Sequence, residues 1–236
     1  MIHLNIFRRK TAFAGIFLAF SLAVAGQDVI LPPDDPNLDQ IPHYLLQETG
    51  TNTDAPPLSS VITIGNWDNF NLGIDEAENN MAANPSVPTW YFTAYNTNRT
   101  HHTENGHDWG INNPNFGANM WGDPVVVYDS LGNLFYMNMY GSGTIQGCKM
   151  AVSQDNGFTW PTITTAISGI DKNWVAADQT NGPYANYVYA TMTSNSGGNF
   201  SRSTDHGQTW TTTFSPGTQS LPGMMACVGA YQNTQG

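Results

Sequence analysis

SQDNGFTW at 153–160 and STDHGQTW at 203–210 decide the fold. Both fit S-x-D-x-G-x-T-W, and the closing residues Trp160 and Trp210 stand 50 positions apart. Five fixed positions in eight do not recur by accident, and a period of this size marks an array of one supersecondary unit. A third, degenerate copy, HTENGHDW, occupies 102–109. It keeps Gly106 and Trp109, with Glu104 in the place of the Asp, Asp108 in that of the Thr and His102 in that of the Ser. Trp109 and Trp160 are 51 residues apart, so the period carries through.

The octapeptide suits a tight turn between strands. Asp155 and Asp205 can accept hydrogen bonds from the backbone N–H groups of the turn they start, and Gly157 and Gly207 can take a positive φ that other residues resist. Thr159 and Thr209 are expected on the returning strand, where β-branched residues are favoured. Trp160 and Trp210 can bury a large ring between adjacent sheets. Together with Ser153 and Ser203, these residues have structural tasks, so none needs to be catalytic.

Between the octapeptides a second element recurs. GDPVVVYDSLGNLFYMNM (122–139) and NWVAADQTNGPYANYVYATM (173–192) each read as an apolar strand, an Asp/Asn/Gly turn and a second strand. NNMAANPSVPTWYFTAY (79–95) is a partial predecessor, and MMACVGAYQNTQG (224–236) begins the next unit. No stretch sustains a 3.6-residue apolar period. Four short strands per repeat is the make-up of one propeller blade. The expected fold is therefore all-β: a β-propeller of four-stranded antiparallel blades over 59–236, with about three and a half blades in that span.

The two full octapeptides resemble the Asp-box, or BNR repeat, of the sialidase-like β-propeller superfamily, and NWVAADQTNGPYANYVYA resembles exported bacterial BNR-repeat proteins. The resemblance implies six or seven blades, so the chain reads as a fragment of a longer propeller. It also implies that the boxes lie at the periphery, away from a central site. The activity it implies is carbohydrate-active, glycoside hydrolase-like or glycan-binding; the alternative is a non-catalytic extracellular scaffold or adhesion propeller. A classical sialidase would grip its substrate carboxylate with three arginines. Beyond residue 25 this chain offers only Arg99 and Arg202, so that triad is not present.

Charge narrows the partners. Three of the seven basic residues are Arg8, Arg9 and Lys10; the other four, Arg99, Lys149, Lys172 and Arg202, face 18 acidic residues, so the net charge of −11 for the whole sequence becomes near −14 for the part beyond residue 25. Phosphate neutralisation needs a basic surface, so nucleic acid is excluded as a partner, and an extracellular glycan or glycoprotein is the expected one. The basic start, the apolar run Thr11–Ala25 and the small-x-small site at Ala23 and Ala25 read as a signal peptide over 1–25. The run is shorter than the ~20 residues a span needs. The expectation is a secreted or cell-surface protein that meets the membrane only through its export signal. Residues 26–58, rich in Pro and Asp, read as a leader or linker. Cys148 and Cys227 could form a disulfide after export, but their apolar contexts favour two buried small hydrophobes.

Candidate chemistry is sparse. Hydrolysis of a glycosidic bond needs two carboxylates roughly 5–10 Å apart. The acidic residues that start innermost strands are the catalytic candidates: Asp123, Asp171, and Glu76 and Glu78 from the group Asp75-Glu76-Ala77-Glu78. Against this, Asp123 could cap a turn before Pro124, and Glu76 and Glu78 could be solvated loop charges. His101, His102, His107, Glu104 and Asp108 could be drawn as a metal site, yet a hydrophilic turn explains them better, so no metal and no cofactor is expected. Trp67, Trp90, Trp121 and Trp174 could stack on sugar rings or pack between blades.

Overall fold

A computed structural model describes residues 60–64, 67–73, 77–194, 197–214 and 223–229, with the side chains of 60–71, 197–198 and 214 outside that description. The signal peptide, the leader, Asp75, Glu76 and the ring of Trp67 therefore lie outside the described residues.

Among the described residues the elements are all strands. β1 (Ser60–Ile64) and β2 (Trp67–Asn71) form a hairpin. β3 (Asn80–Ala83), β4 (Tyr91–Tyr95) and β5 (Arg99–Thr103) form a three-stranded sheet, blade 1. Blade 2 is β6 (Met120–Tyr128), β7 (Leu134–Gly141), β8 (Ile145–Ser153) and β9 (Thr162–Ser168). Blade 3 is β10 (Asp171–Ala177), β11 (Val188–Ser194), β12 (Gly197–Ser203) and β13 (Thr211–Phe214). Each sheet is an antiparallel meander in sequence order. The first strand of each packs beside the first strand of the next, β3 against β6 and β6 against β10. Consecutive meanders joined through their innermost strands are blades of a β-propeller.

β7 shows why blade 2 reads as a continuous apolar run. Successive side chains leave a strand on opposite faces: Leu134 and Tyr136 join the core shared with Phe92 and Ala94 of blade 1. Phe135, Met137 and Met139 join the core shared with Val175, Val188 and Met192 of blade 3. A blade between two neighbours has no solvent face to pattern. Cys148 is buried in that second core with its Sγ 3.6 Å from Met192 Sδ, but Cys227 is exposed, and both thiols are free. Only Cys148 is thus a buried hydrophobe; Cys227 lies in 224–229, which pairs with no strand among the described residues.

Blade 1 has only the stub of a fourth strand, the bridge between His102 and Gly110. The chain beyond it carries Asn112, Asn113 and Pro114, and side-chain amides replace the ladder: Asn113 Oδ1 accepts from Thr100 N at 2.9 Å, and Asn98 Nδ2 donates to Pro114 O at 2.8 Å. Phe116 from this loop plugs the core, its ring 5.3 Å from that of Tyr136.

The two full octapeptide turns are built alike. Ser153 and Ser203 end β8 and β12, and each Oγ accepts from the amide of Gly157 or Gly207 at 2.8 Å. Asp155 Oδ1 accepts from Thr159 N at 2.8 Å and Asp205 Oδ1 from Thr209 N at 2.9 Å. Thr159 and Thr209 are not on the returning strands: each hydroxyl donates to its Asp at 2.6 Å inside the turn, ahead of β9 and β13. Burial works against charge on Asp155 and Asp205, but hydrogen bonds from the Thr and Ser partners outweigh it and hold both carboxyls below their ordinary range. Trp160 lies edge-on to Phe92 of blade 1 at 5.5 Å, and Trp210 packs on the core between blades 2 and 3.

The degenerate turn corrects the alignment of 102–109. Thr103, not His102, ends its strand, and Thr103 Oγ1 accepts from Gly106 N at 2.9 Å. Asn105, not Glu104, takes the part of the Asp: its Oδ1 accepts from Asp108 N at 2.8 Å and its Nδ2 donates to Asp108 Oδ2 at 2.7 Å. The turn is one residue shorter between its strand end and Trp109 than the other two. Measured from strand ends Thr103, Ser153 and Ser203 the period is 50 throughout. His101 and His102 are likewise strand residues of β5 and buried, rather than members of a hydrophilic turn.

Candidate functional site

One charged residue in the left-handed backbone region stands in or just ahead of each innermost strand: Glu78 (φ 58°) two residues before β3, Asp123 (φ 48°) in β6 and Lys172 (φ 34°) in β10. Each lies six positions before the buried or turn-starting Asn84, Asp129 and Asp178 at the far end of its strand. The three positions are thus equivalent. A non-glycine residue costs about 1–2 kcal/mol there, and strain of this kind collects at functional sites. The ladder slips at Gly122/Val125 in β6 and at Asp171/Asn173 in β10, and such bulges re-aim a side chain.

Asparagines hold the strained segments. Asp123 N donates to Asn96 Oδ1 at 3.0 Å, Gly122 N to Asn138 Oδ1 at 3.1 Å, and Asn173 Nδ2 to Asp123 O at 3.1 Å. Val126 N donates to Asn80 Oδ1 at 2.9 Å, which stitches β6 to β3. Glycine suits position 122, where φ is 129° and a Cβ would displace Asn96 Oδ1, 2.3 Å away, from its bond with Asp123 N.

The three side chains converge on an open cavity of about 220 Å³ whose lining includes Asn79, Asn80, Asn173 and Trp174. Lys172 Nζ is 3.3 Å from Asp123 Oδ2. The Glu78 carboxyl is raised above its ordinary range, first by its hydrogen bond with Asp123, then by burial and by the Asp123 charge; Asn96 and Lys172 pull the other way. The Asp123 carboxylate reaches further: full burial first and that charge second push the Cys148 thiol well up, leaving it un-ionised.

Of the catalytic candidates the structure brings Glu78 and Asp123 together. Asp171 is exposed and turns its carboxylate onto the Lys172 amide at 2.8 Å, because the left-handed residue is 172 and not 171. Glu76 lies outside the described residues. Lys172 was not singled out by the sequence reading, although the six-residue offset to Asp178 marks it. Glu78 and Asp123 line the same cavity, with Lys172 on Asp123.

The histidines do not assemble. His101 faces Tyr95 and His102 faces Phe158, with burial lowering both below the ordinary imidazole range, while His107 is exposed. Among the described residues no group of three His, Cys, Asp or Glu is placed to hold a metal ion. Arg202 lies over the Tyr187 ring at 5.6 Å and not in the cavity. Trp121 is largely exposed, its Nε1 donating to Gly141 O at 3.2 Å, and Trp90 is half-buried.

No protein-family model matches the chain, and no curated protein matches it. Three solved structures resemble part of it. A GH74 enzyme of Niastella koreensis aligns over 56% of this chain and 22% of its own, at 16% identity and a TM-score of 0.42. An α-L-arabinanase of Penicillium chrysogenum complexed with arabinobiose aligns over 56% and 43%, at 17% identity and a TM-score of 0.40. An α-L-arabinofuranosidase of Fusarium graminearum with an iminosugar inhibitor aligns over 52% and 42%, at 11% identity and a TM-score of 0.38. The match spans less than half the length of each of these structures.

Proposed function

We propose that the protein is an exported Asp-box propeller that binds a glycan at the mouth formed by Glu78, Asp123, Lys172 and Trp174. The carrying observation is the convergence of three equivalent, strained positions on one cavity that also holds an indole and three asparagine side chains. Hydroxyl-rich ligands need donors and acceptors in close alternation beside an apolar ring face, and this lining supplies both. The excess of acidic over basic residues argues against a nucleic-acid partner.

The test is a glycan array probed with the secreted protein, followed by calorimetry on the oligosaccharides it retains. Trp174→Ala and Glu78→Gln should each weaken binding tenfold or more while leaving the circular dichroism spectrum unchanged. Unchanged affinity in both variants sinks the assignment of the mouth. Release of reducing ends from those glycans by the protein, abolished by Glu78→Gln, would replace binding with hydrolysis. Export itself is checked by N-terminal sequencing, with cleavage expected after Ala25.

A further inference from the structure

The three repeat tryptophans are not equally satisfied. Trp160 Nε1 donates to Asn112 O at 2.9 Å and Trp210 Nε1 to Thr164 Oγ1 at 3.1 Å. The Nε1 of Trp109, which closes the turn of blade 1, is buried with no hydrogen-bond partner among the described residues. His102 on β5 is only 4% exposed, and its Nδ1 is likewise buried and unpartnered. Both residues line one cavity of about 390 Å³, together with Glu104, Asp108 and Phe158. Thr103 pairs with Tyr91 and Tyr91 with Ala83, so this cavity lies at the end of blade 1 away from Glu78. Its walls are fixed: the Phe158 ring stands 4.2 Å from that of His102, the Phe158 carbonyl accepts from Asn112 Nδ2, and Asn105 Nδ2 holds Asp108 Oδ2 at 2.7 Å. The side chain of Phe158 nevertheless belongs to a residue that is 47% exposed.

Buried polar atoms of native proteins are nearly all hydrogen-bonded, and two exceptions on one cavity mark a place for a molecule that bonds them. We propose that this cavity is a second binding site, which takes the ring of a neutral hydroxylated ligand such as a sugar residue. An indole N–H only donates, so Trp109 needs an acceptor and offers nothing to a metal ion or an ammonium. Glu104 and Asp108 only accept when ionised, and their charge repels carboxylates, sulfates and phosphates. A hydroxyl answers both demands, because it accepts from the indole and donates to a carboxylate. Burial holds the His102 imidazole below its ordinary range, so at pH 7 it is neutral, with one nitrogen donating and the other accepting. The exposed ring of Phe158 supplies the apolar face against which the C–H side of a sugar ring packs. A cavity of this volume lies in the range of ligand sites and well above the space of a single water. Blade 3 has no such feature: Gln208 takes the place of Phe158, and Trp210 Nε1 is also met by Gly207 O of its own turn at 3.2 Å. The inference does not rest on the reading of the mouth.

The experiment follows the indole N–H resonances of the nitrogen-labelled full chain by NMR during titration with the methyl glycosides of glucose, galactose, mannose and arabinose. Glucuronate and tetramethylammonium serve as the acidic and cationic probes, and Trp109→Phe assigns the Trp109 resonance. At least one neutral glycoside should move that resonance saturably, and neither charged probe should. Phe158→Gln copies the residue that blade 3 carries at the same place, so the turn should fold unchanged, with the other indole resonances as the check. It should weaken the binding about fivefold or more, while Trp174→Ala leaves it unaltered. A Trp109 resonance that no glycoside moves up to its solubility limit overturns the proposal. Binding of glucuronate or tetramethylammonium as tight as that of the glycosides overturns it too, as does an affinity that survives Phe158→Gln. A shift abolished by Trp174→Ala would assign the sugar to the mouth and remove the second site. If the mouth variants leave glycan retention unchanged while Trp109 still responds, the reading of the mouth fails and the second site stands.

Discussion

The turns that close blades 2 and 3 and the turn that closes blade 1 answer the same problem with different parts. In the first two a carboxylate, Asp155 or Asp205, takes two bonds from a threonine, and two successive residues adopt positive φ: Asn156 with Gly157, His206 with Gly207. In blade 1 an amide, Asn105, clasps Asp108, and Gly106 alone is left-handed. The residue missing from blade 1 corresponds to Asn156 and His206. Those two are the clasps between blades: Asn156 Nδ2 donates to Thr103 O at 2.8 Å and its Oδ1 accepts from Tyr128, while His206 Nδ1 lies 3.2 Å from Asp129 Oδ2. The variable fourth position of the octapeptide therefore carries the contact that joins one blade to the next, and the fixed positions serve the turn itself.

The sharpest way to break this comparison is at the glycines. At Gly157, φ is 88° and a Cβ would stand 2.8 Å from the fully buried ring of Phe92; at Gly106, φ is 78° with nothing within 4 Å. Gly157→Ala adds overpacking to backbone strain and should cost about 2–4 kcal/mol, against about 1–2 kcal/mol for the strain alone in Gly106→Ala. Urea denaturation of both variants measures the difference. Equal costs would mean that the turns are not packed differently.

Asn156→Ala comes next. It leaves the Tyr128 hydroxyl and the Thr103 carbonyl of neighbouring blades without their buried partner, an expected loss of about 2–3 kcal/mol. Asp155→Ala, which removes only turn bonds at a partly exposed site, should cost about 1–2 kcal/mol. If the order reverses, the blades are held by their cores alone. This ordering also explains how much of the architecture was legible beforehand. Strand-turn-strand units with a glycine and a tryptophan at fixed offsets announce themselves, because those residues answer to local backbone geometry. Asn156 and His206 read as filler, because the partners that give them meaning come from residues 28 or more positions away. Lys172 was hidden for the same reason: a lysine at a strand start looks solvated until the equivalence with Glu78 and Asp123 sets it beside a carboxylate. Cys227 was misjudged because an apolar neighbourhood in sequence does not guarantee a pairing strand.

Acid should separate the blades by a smaller margin. Burial lowers His101 and His102, both on β5 of blade 1, below the ordinary imidazole range. A histidine whose folded value is lowered binds fewer protons when folded, so its contribution is intact above the unfolded value of about 6.5 and is lost as pH falls through the folded value. Asp155 and Asp205, whose folded values are lowered, keep their contribution until pH falls below about 4. Amide exchange followed from pH 7 to 4.5 should therefore show protection falling first in β4 and β5 and last at the turns of blades 2 and 3. Uniform loss across the blades would remove acid sensitivity from the contrast.

The smallest effect tests the alignment of the degenerate turn. Aligning HTENGHDW by its glycine and tryptophan puts Glu104 in the place of the aspartate; the hydrogen bonds put Asn105 there. Asn105→Ala removes an acceptor for the amides of His107 and Asp108 and the donor to the Asp108 carboxylate, and should cost about 1 kcal/mol. Glu104→Ala touches an exposed side chain and should stay within about 0.5 kcal/mol of the native chain. Asn105→Asp alone sets a carboxylate against Asp108 and should destabilise, whereas Asn105→Asp with Asp108→Thr recreates the pairing of Asp155 with Thr159 and should recover most of the loss. Thermal melts of the four variants decide it: a cost at Glu104 exceeding that at Asn105 would restore the alignment by glycine and tryptophan, and with it a turn of full length in blade 1.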